Sequence, residues 1–375
     1  MIRLSKSCIG EEEKNAVLAV LDQEFLGMGP TVGRFEQDIE HFLGTPAVCV
    51  VNGTAALHLA LQACGVAWSD EVLVPSLTYV ASFQAISAVG ARPIACDVHP
   101  DTLTIDVEDA RRKLTHRTKA IMPVHYAGDC AGIDSVFHFA TESGLRVIED
   151  AAHAFGSAHR GKKVGSFGDV ACFSFDGIKN ITSGEGGCVV SNDDAVLNLV
   201  RDARLLGVNK DSLQRYSMKR SWSFDVTAQG YRYHMSEIMA AIGIVQLRRF
   251  PEMAAIRRSL SKLYDSLLAD CCGLKTISHD YDSVVPHIYV VILDEGIDRK
   301  MVQDALAEQD IQTGYHYQPN HWLTLYKESA VSALPVTDHI FPRLLTLPLH
   351  ADLSPEDIRY VAKAVKSVVE GATGA

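Results

Sequence analysis

Residues 47–96 read AVCVVNGTAALHLALQACGVAWSDEVLVPSLTYVASFQAISAVGARPIAC. Three short, largely apolar runs, Ala47–Val51, Glu71–Pro75 and Arg92–Cys96, alternate with two stretches of helical character, Ala55–Cys64 and Val80–Val89. Strands separated by helix-length segments are joined by crossovers, so this stretch predicts parallel strands with helices covering the sheet. The region is nearly free of charge: no Asp, Glu, Lys or Arg lies between His41 and Ser69 or between Val72 and Ala91. Runs of that length must be tested against a membrane span, which takes about 20 predominantly apolar residues. Pro46, Asn52, Gly53, Thr54, Pro75, Ser76 and Thr78 interrupt them. They read as buried strands and helices joined by polar turns.

The same alternation continues outward. Lys119–Val124, Arg146–Glu149, Val170–Ser174 and Gly187–Ser191 are further strands, with helices at Val107–Leu114 and Ser135–Ser143. The expected fold class is α/β, a mostly parallel seven-stranded sheet with helices on both faces. From Tyr231 to about Lys262 the pattern is long and helical, and Pro251 is expected to break or kink it. A strand at Ile288–Leu293, a helix at Arg299–Glu308, a loop at Tyr315–Trp322 and a terminal helix opened by Ser354-Pro355-Glu356-Asp357 follow. The expected organisation is a large α/β domain with an N-terminal arm over 1–250 and a smaller α+β domain over 251–375.

The 375 residues carry a formal net charge of −11, with 47% hydrophobic and 22% charged residues, as in ordinary soluble globular proteins. A pI near 5.7 gives no positive field for nucleic acid or an anionic membrane, so neither is an expected partner. The opening Met-Ile-Arg-Leu-Ser-Lys has no signal-peptide character. Nine cysteines lie scattered without a CxxC pair, which fits reduced core thiols in a cytoplasmic protein and no metal site.

Three segments carry chemistry. Residues 170–193, VACFSFDGIKNITSGEGGCVVSND, present Lys179 in a turn between apolar strands, the only charged nitrogen between Lys163 and Arg201. Desolvation there lowers a lysine pKa and makes the amine a nucleophile toward carbonyls; the alternative is a solvated turn lysine. In RVIEDAAHAFGS, Asp150 falls at the carboxyl end of a strand, where open α/β sheets place ligands, or it caps the next helix. In VVNGTAALHLAL, Gly53 and Thr54 sit at a strand-to-helix turn, whose N–H groups and hydroxyl suit a phosphate or a cap. An imine-forming lysine, an aspartate at a strand end and a phosphate-accepting helix start are together the parts that pyridoxal 5′-phosphate (PLP) needs. Tyr79, just after the second strand, offers an aromatic face for its ring, or packs in the core.

On these residues the chain resembles the nucleotide-sugar aminotransferases of the DegT/DnrJ/StrS family, PLP enzymes of the aspartate-aminotransferase type I fold. The likeness runs through LGMGPTVGRFE, NGTAALHLAL, VPSLTYVAS, TKAIMPVHYAG, VIEDAAHAFGS, SFDGIKN with SGEGG, GYRYHMSEIMAAIGIVQL, GYHYQPNH and LPLH, nearly the whole length. It implies Lys179 as the Schiff-base lysine and Asp150 as partner of the pyridine nitrogen. It also implies His153 beside the ring's phenolic oxygen, Thr54, Ala55 and Ser174 on the phosphate, and Tyr79 stacked on the ring. A homodimer with the active site at the interface is expected from the same likeness.

Departures from the family pattern stand at Arg232, where relatives carry an Asn reaching the phosphate of the neighbouring subunit, and at Asp176, where relatives often carry His or an aromatic residue. Arg232 would contact the phosphate or the substrate diphosphate. Lys219 and Arg220 are a solvated pair or contacts to the nucleotide diphosphate. The loop with His316, Tyr317 and His321 is placed near the sugar by the likeness. The resemblance implies an enzyme that moves the amino group of L-glutamate to a nucleotide-linked keto sugar. The reading chosen is C4 of a dTDP-4-keto-6-deoxyhexose, serving surface polysaccharide such as O-antigen or natural-product glycosylation. UDP- or GDP-linked 4-keto sugars, 3-keto sugars, and a non-catalytic PLP-binding regulator are the alternatives.

Overall fold

A computed structural model describes residues 1–209, 214–219 and 223–373. The seven expected strands form one sheet: β1 (Ala47–Val50), β2 (Glu71–Pro75), β3 (Arg92–Cys96), β4 (Thr118–Ile121), β5 (Arg146–Asp150), β8 (Val170–Ser174) and β9 (Gly187–Ser191), with a short hairpin, β6 (Ala158–His159) and β7 (Lys162–Lys163), between. Their order across the sheet is β1-β9-β8-β5-β4-β2-β3. The pairs β3/β2, β2/β4, β4/β5 and β5/β8 are parallel, and only β9 runs against its neighbours β8 and β1. The α/β fold class therefore holds.

Both faces are buried, and the alternation of a strand assigns each residue to one of them. On β1, Ala47 and Cys49 join the core with Phe35, Ile39, Phe139 and Phe173, while Val48 and Val50 join the core with Leu57, Leu61, Phe83 and Ile148. Helices α1 (Glu11–Leu21) and α2 (Pro30–Leu43) precede the sheet; α3 (Gly53–Ala63), α4 (Val80–Ala88), α5 (Val107–Arg112), α6 (Ile133–Ser143) and α7 (Asp194–Ala203) connect or follow its strands. Among the described residues no helix is long and apolar enough to cross a membrane.

Two expectations for the long helical stretch are corrected. The helix begins at Glu237, because Tyr231–His234 are extended: Tyr231 and Tyr233 stack at 5.0 Å, Val51 N–H donates to Tyr233 O, and Val50 bridges His234. Ser236 caps the start by accepting from Met239 N–H. Pro251 does not end the helix, which runs unbroken to Leu268. The flanks of the proline are held by burial of Phe250, Met253 and Ala254, which offsets the lost backbone hydrogen bond. Glu237 also caps α2 from a distance, accepting from the N–H groups of Gly29, Thr31 and Val32.

Beyond this helix a second sheet, β10 (Leu274–Thr276), β11 (Tyr289–Leu293) and β12 (Leu344–Leu347), forms a separate antiparallel layer. Its core combines Leu260, Tyr264 and Leu268 of the long helix with Ile358, Val361 and Val365 of the terminal helix, Pro355–Thr373. That terminal helix opens on a reciprocal box, Ser354 Oγ accepting from Asp357 N–H and Asp357 Oδ2 from Ser354 N–H. Ile2 adds to this end of the molecule by a parallel bridge to Ile311.

Candidate active site

The parallel strands β2, β5 and β8 run the same way, so Pro75, Asp150 and Ser174 end at one edge, the edge where the turns into α3 and α4 also lie. A cavity of about 450 Å³ opens there, lined among others by Asn52, Gly53, Thr54, Tyr79, Asp150, His153, Ser174, Asp176, Lys179, Glu185, His316 and Tyr317. Open α/β sheets place ligands at this position because helix N-termini and strand ends converge on it.

The floor is a helix start. Asn52 caps α3 by accepting from Ala55 N–H at 2.8 Å, which leaves the first-turn N–H groups of Gly53 and Thr54 without intrahelical acceptors. A Cβ on Gly53 would stand 2.8 Å from Ser174 Cβ, so glycine is what allows the turn to approach the Ser174 hydroxyl. Two N–H groups and two hydroxyls, those of Thr54 and Ser174, thus frame one concave corner suited to an anion.

Asp150, at the end of β5, is 6% exposed. Its Oδ2 accepts from Ser82 Oγ at 2.7 Å and its Oδ1 from Ala152 N–H at 3.2 Å. Directly behind it His125 and Glu149 form a buried pair at 2.7 Å.

Lys179 is half-buried, and loss of water pushes its pKa down to about 8, against the opposing pull of Asp150 and Asp176. Three imidazoles surround it. Burial first, and then the charge of Lys179, hold His153 and His287 well below the ordinary histidine value; the same causes bring His316 to about 4. All three are neutral at neutral pH. His153 Nε2 meets the Tyr317 hydroxyl at 2.8 Å, and its Nδ1 is buried with no partner among the described residues. Tyr317 leans on Tyr79 at 5.5 Å, and His316 Nδ1 pairs with Thr346 Oγ1 at 2.8 Å. Glu185 is raised by desolvation and by Asp176.

The structure therefore brings together Gly53, Thr54, Tyr79, Asp150, His153, Ser174, Lys179, His316 and Tyr317 of the residues singled out by sequence. Ala55 lies one residue behind the lining, its N–H engaged by the Asn52 cap. His321 is not in the cavity: its ring bridges Ser76 Oγ at 2.7 Å and Asp338 Oδ1 at 3.0 Å, fixing its own loop against the β2–α4 turn. Arg232 and Lys219 are exposed and outside the cavity of their own chain, and Arg220 lies outside the described residues. Sequence reasoning missed His287, Ser82 and Glu185 as residues of the site.

The donor set fits PLP. The anion corner at Gly53, Thr54 and Ser174 suits its phosphate, Asp150 its pyridinium nitrogen, Lys179 its aldehyde, and the unpartnered nitrogen of His153 marks a polar wall prepared for a ring substituent.

Comparison with known proteins gives the same answer. Residues 7–366 match the DegT/DnrJ/EryC1/StrS aminotransferase family. The chain is 35% identical to the spore coat polysaccharide biosynthesis protein SpsC of Bacillus subtilis, over 97% of this chain and 96% of that one. Among solved structures, the aminotransferase TlmJ from Streptoalloteichus hindustanus superposes with a TM-score of 0.92 at 32% identity, covering 100% of both chains. The PLP form of the putative sugar aminotransferase Spr1654 from Streptococcus pneumoniae matches with a TM-score of 0.92 at 30% identity, covering 99% of each. The chain belongs to the DegT/DnrJ/EryC1/StrS aminotransferase family and is a PLP-dependent sugar aminotransferase.

Proposed function

We propose that this enzyme transfers the amino group of L-glutamate to a nucleotide-linked keto sugar, with C4 of a dTDP-4-keto-6-deoxyhexose as the preferred acceptor and 2-oxoglutarate as the other product. The observation that carries the reading is the convergence of Lys179, lowered to about 8, with Asp150 and the Gly53–Thr54–Ser174 corner in one cavity. An amine with that pKa is neutral in about a fifth of molecules near pH 7.4, against roughly one in a thousand at the ordinary 10.5, and so is far better able to act as nucleophile and base.

The cofactor, when bound, supplies an electron sink for the pair left behind as the substrate α C–H bond breaks. The chain's own groups do the rest. Asp150 keeps the pyridine nitrogen protonated, and Ser82 and Ala152 hold its carboxylate in place. The amine of Lys179 would hold the cofactor's aldehyde carbon and, once freed, would take the proton from the donor's α carbon as a base and deliver it to that aldehyde carbon as an acid, with the same transfer in reverse for the acceptor sugar. Tyr79 and Tyr317 wall the opening and limit water, and His316 faces the same space on an anchored ring.

Four carboxylate or phosphate charges on donor and acceptor must be met by cations, and among the lining residues Lys179 is the lone Lys or Arg. This supports a homodimer in which exposed Arg232 and Lys219 serve the partner's cavity. The separate core around β10, β11 and β12 supports a large unit over residues 1–250 and a small one over 251–375, joined by the long helix. Nine free thiols fit a reducing cytoplasm.

The test is glutamate-dependent amination, followed by 2-oxoglutarate release, across a panel of dTDP-, UDP- and GDP-linked 4-keto and 3-keto sugars. The Lys179→Ala protein should be inactive on all of them. Amination at the wild-type rate by that variant would sink the proposal.

A further inference from the structure

Lys179 Nζ has one side-chain hydrogen-bonding neighbour among the described residues, Nε2 of His287 at 3.5 Å. That residue lies 108 positions away in sequence, just before β11, and is 3% exposed. Its backbone is clamped from both sides: His287 N–H donates to Ala127 O at 3.0 Å, and its carbonyl accepts from the buried guanidinium of Arg257 at 3.1 Å. Its ring lies against His153 with centroids 4.3 Å apart. The clamped backbone, the buried setting and the His153 ring alongside favour an imidazole that stays beside the amine.

The choice of ring proton follows from what the other nitrogen can reach. His287 Nδ1 is buried and has no partner among the described residues. A proton there would be an orphaned buried donor, which is costlier than a bare lone pair. The proton therefore sits on Nε2, and toward Lys179 an Nε2–H can only donate. It finds an acceptor in the lone pair of a neutral amine and none in an ammonium. The charged and titratable groups around the pair are Arg257, His153 and His316 beside His287, and Asp150 and Asp176 beside Lys179. The two carboxylates favour the ammonium, so a device favouring the amine has something to oppose.

We propose that His287 is a positioning residue for Lys179: its Nε2–H holds the freed lysine by the lone pair, keeping the amine unprotonated and in one place until it acts. This inference rests on the reading of Lys179 as the reactive amine. The long contact is what such a role needs, because catalytic hydrogen bonds are often loose before substrate is bound. Once Nζ takes a proton it has no lone pair for Nε2–H, so the arrangement favours passing the proton on over retaining it.

The test compares His287→Met, which removes the donor at similar volume, with His287→Gln, whose amide donates from nearly the same place. In the full-length protein stripped of cofactor, the pH dependence of acetic anhydride labelling at Lys179, read by peptide mass spectrometry, gives the midpoint of the amine. His287→Met should raise that midpoint by about 0.5–1 pH unit, and His287→Gln should leave it within about 0.3 of wild type. In the holoenzyme His287→Met should lower kcat roughly tenfold with glutamate KM within about twofold, and His287→Gln should recover most of the loss. A midpoint that stays or falls in the Met variant, or a Gln variant no better than Met, overturns the role. If wild-type protein aminates no keto sugar, the proposed function fails instead, and the labelling midpoints still decide the matter of His287.

Discussion

The hydroxyl of Ser82, in the first turn of α4, donates to Oδ2 of Asp150 at 2.7 Å, tying the helix after β2 to the end of β5. Thr78 Oγ1 stands 3.0 Å from the same hydroxyl, so a short polar chain backs the carboxylate that we propose as partner of the pyridine nitrogen. Replacing Ser82 by Ala leaves one carboxylate oxygen buried without its donor, at a cost of about 1–2 kcal/mol. Because the carboxylate must be aimed to engage PLP, the expected result is about five- to tenfold weaker cofactor binding by fluorescence titration. Unchanged affinity would show that Ala152 N–H alone fixes Asp150.

Lys179 links stability to pH with a definite sign. Its folded-state pKa of about 8 lies below the ordinary 10.5, so between those values the unfolded chain binds more protons and stability rises with pH. Below 8 the cost of charging the amine in the cavity is fully present. Lys179→Met should therefore raise the melting temperature of cofactor-free protein by about 2–4 °C at pH 7. The gain should shrink toward pH 10. Scanning fluorimetry at the two pH values checks both; an equal gain at each would contradict the desolvated amine.

Arg204 is fully buried where β1 meets α2, with Nη1 on Glu36 Oε1 at 2.5 Å and on Cys49 O at 2.6 Å, and Nη2 on the Tyr216 hydroxyl at 2.6 Å. Tyr216 completes the ring by donating to Glu36 Oε2. Arg204→Met strands the Glu36 carboxylate in the interior, where breaking a buried pair costs about 3–5 kcal/mol. Urea unfolding should register this loss, while Glu36→Gln with Arg204→Met together should recover part of it.

Thiol reactivity should be confined to one residue. Burial pushes Cys64, Cys96 and Cys130 up to about 12, and Cys49 and Cys172 well above the ordinary thiol value, whereas Cys272 is exposed. Maleimide at pH 8 should label Cys272 at least about a hundredfold faster than these five, since only the thiolate reacts. Peptide mapping of early time points that found Cys64 or Cys130 modified first would be inconsistent with the fold.

The strands were readable because burial on both faces makes them nearly continuous apolar runs, and Lys179 and Asp150 because each stands out against such a run. What escaped was long-range. His287 sits in VVPHIY with nothing local to distinguish it, and it becomes meaningful only because the loop before β11 folds back over Lys179. Ser82 reads as one small residue of a helix until Asp150 is placed beside it. The segment Tyr231–His234 looked helical because its aromatic residues continue the apolar spacing of Met235 onward, yet Leu205 and Val50 recruit its backbone into bridges. His321 shares a loop with His316 and Tyr317, but Ser76 and Asp338 turn it away from the cavity.

The bridge between Ile2 and Ile311 has a bearing on how the protein is made. Ile2 N–H donates to Asp310 O and Gln312 N–H to Ile2 O, and Leu349 N–H reaches Leu4 O. At ribosomal speeds of about 5–20 residues per second, roughly 15–60 s separate the synthesis of Ile2 from that of its partner. Throughout that interval the first strand-like residues are an unpaired edge, and every member of the seven-stranded sheet, to which they do not belong, is made before the interval ends. The beginning of the chain is thus among the last parts to find its place, and its docking marks that residues near 311 and 349 have arrived.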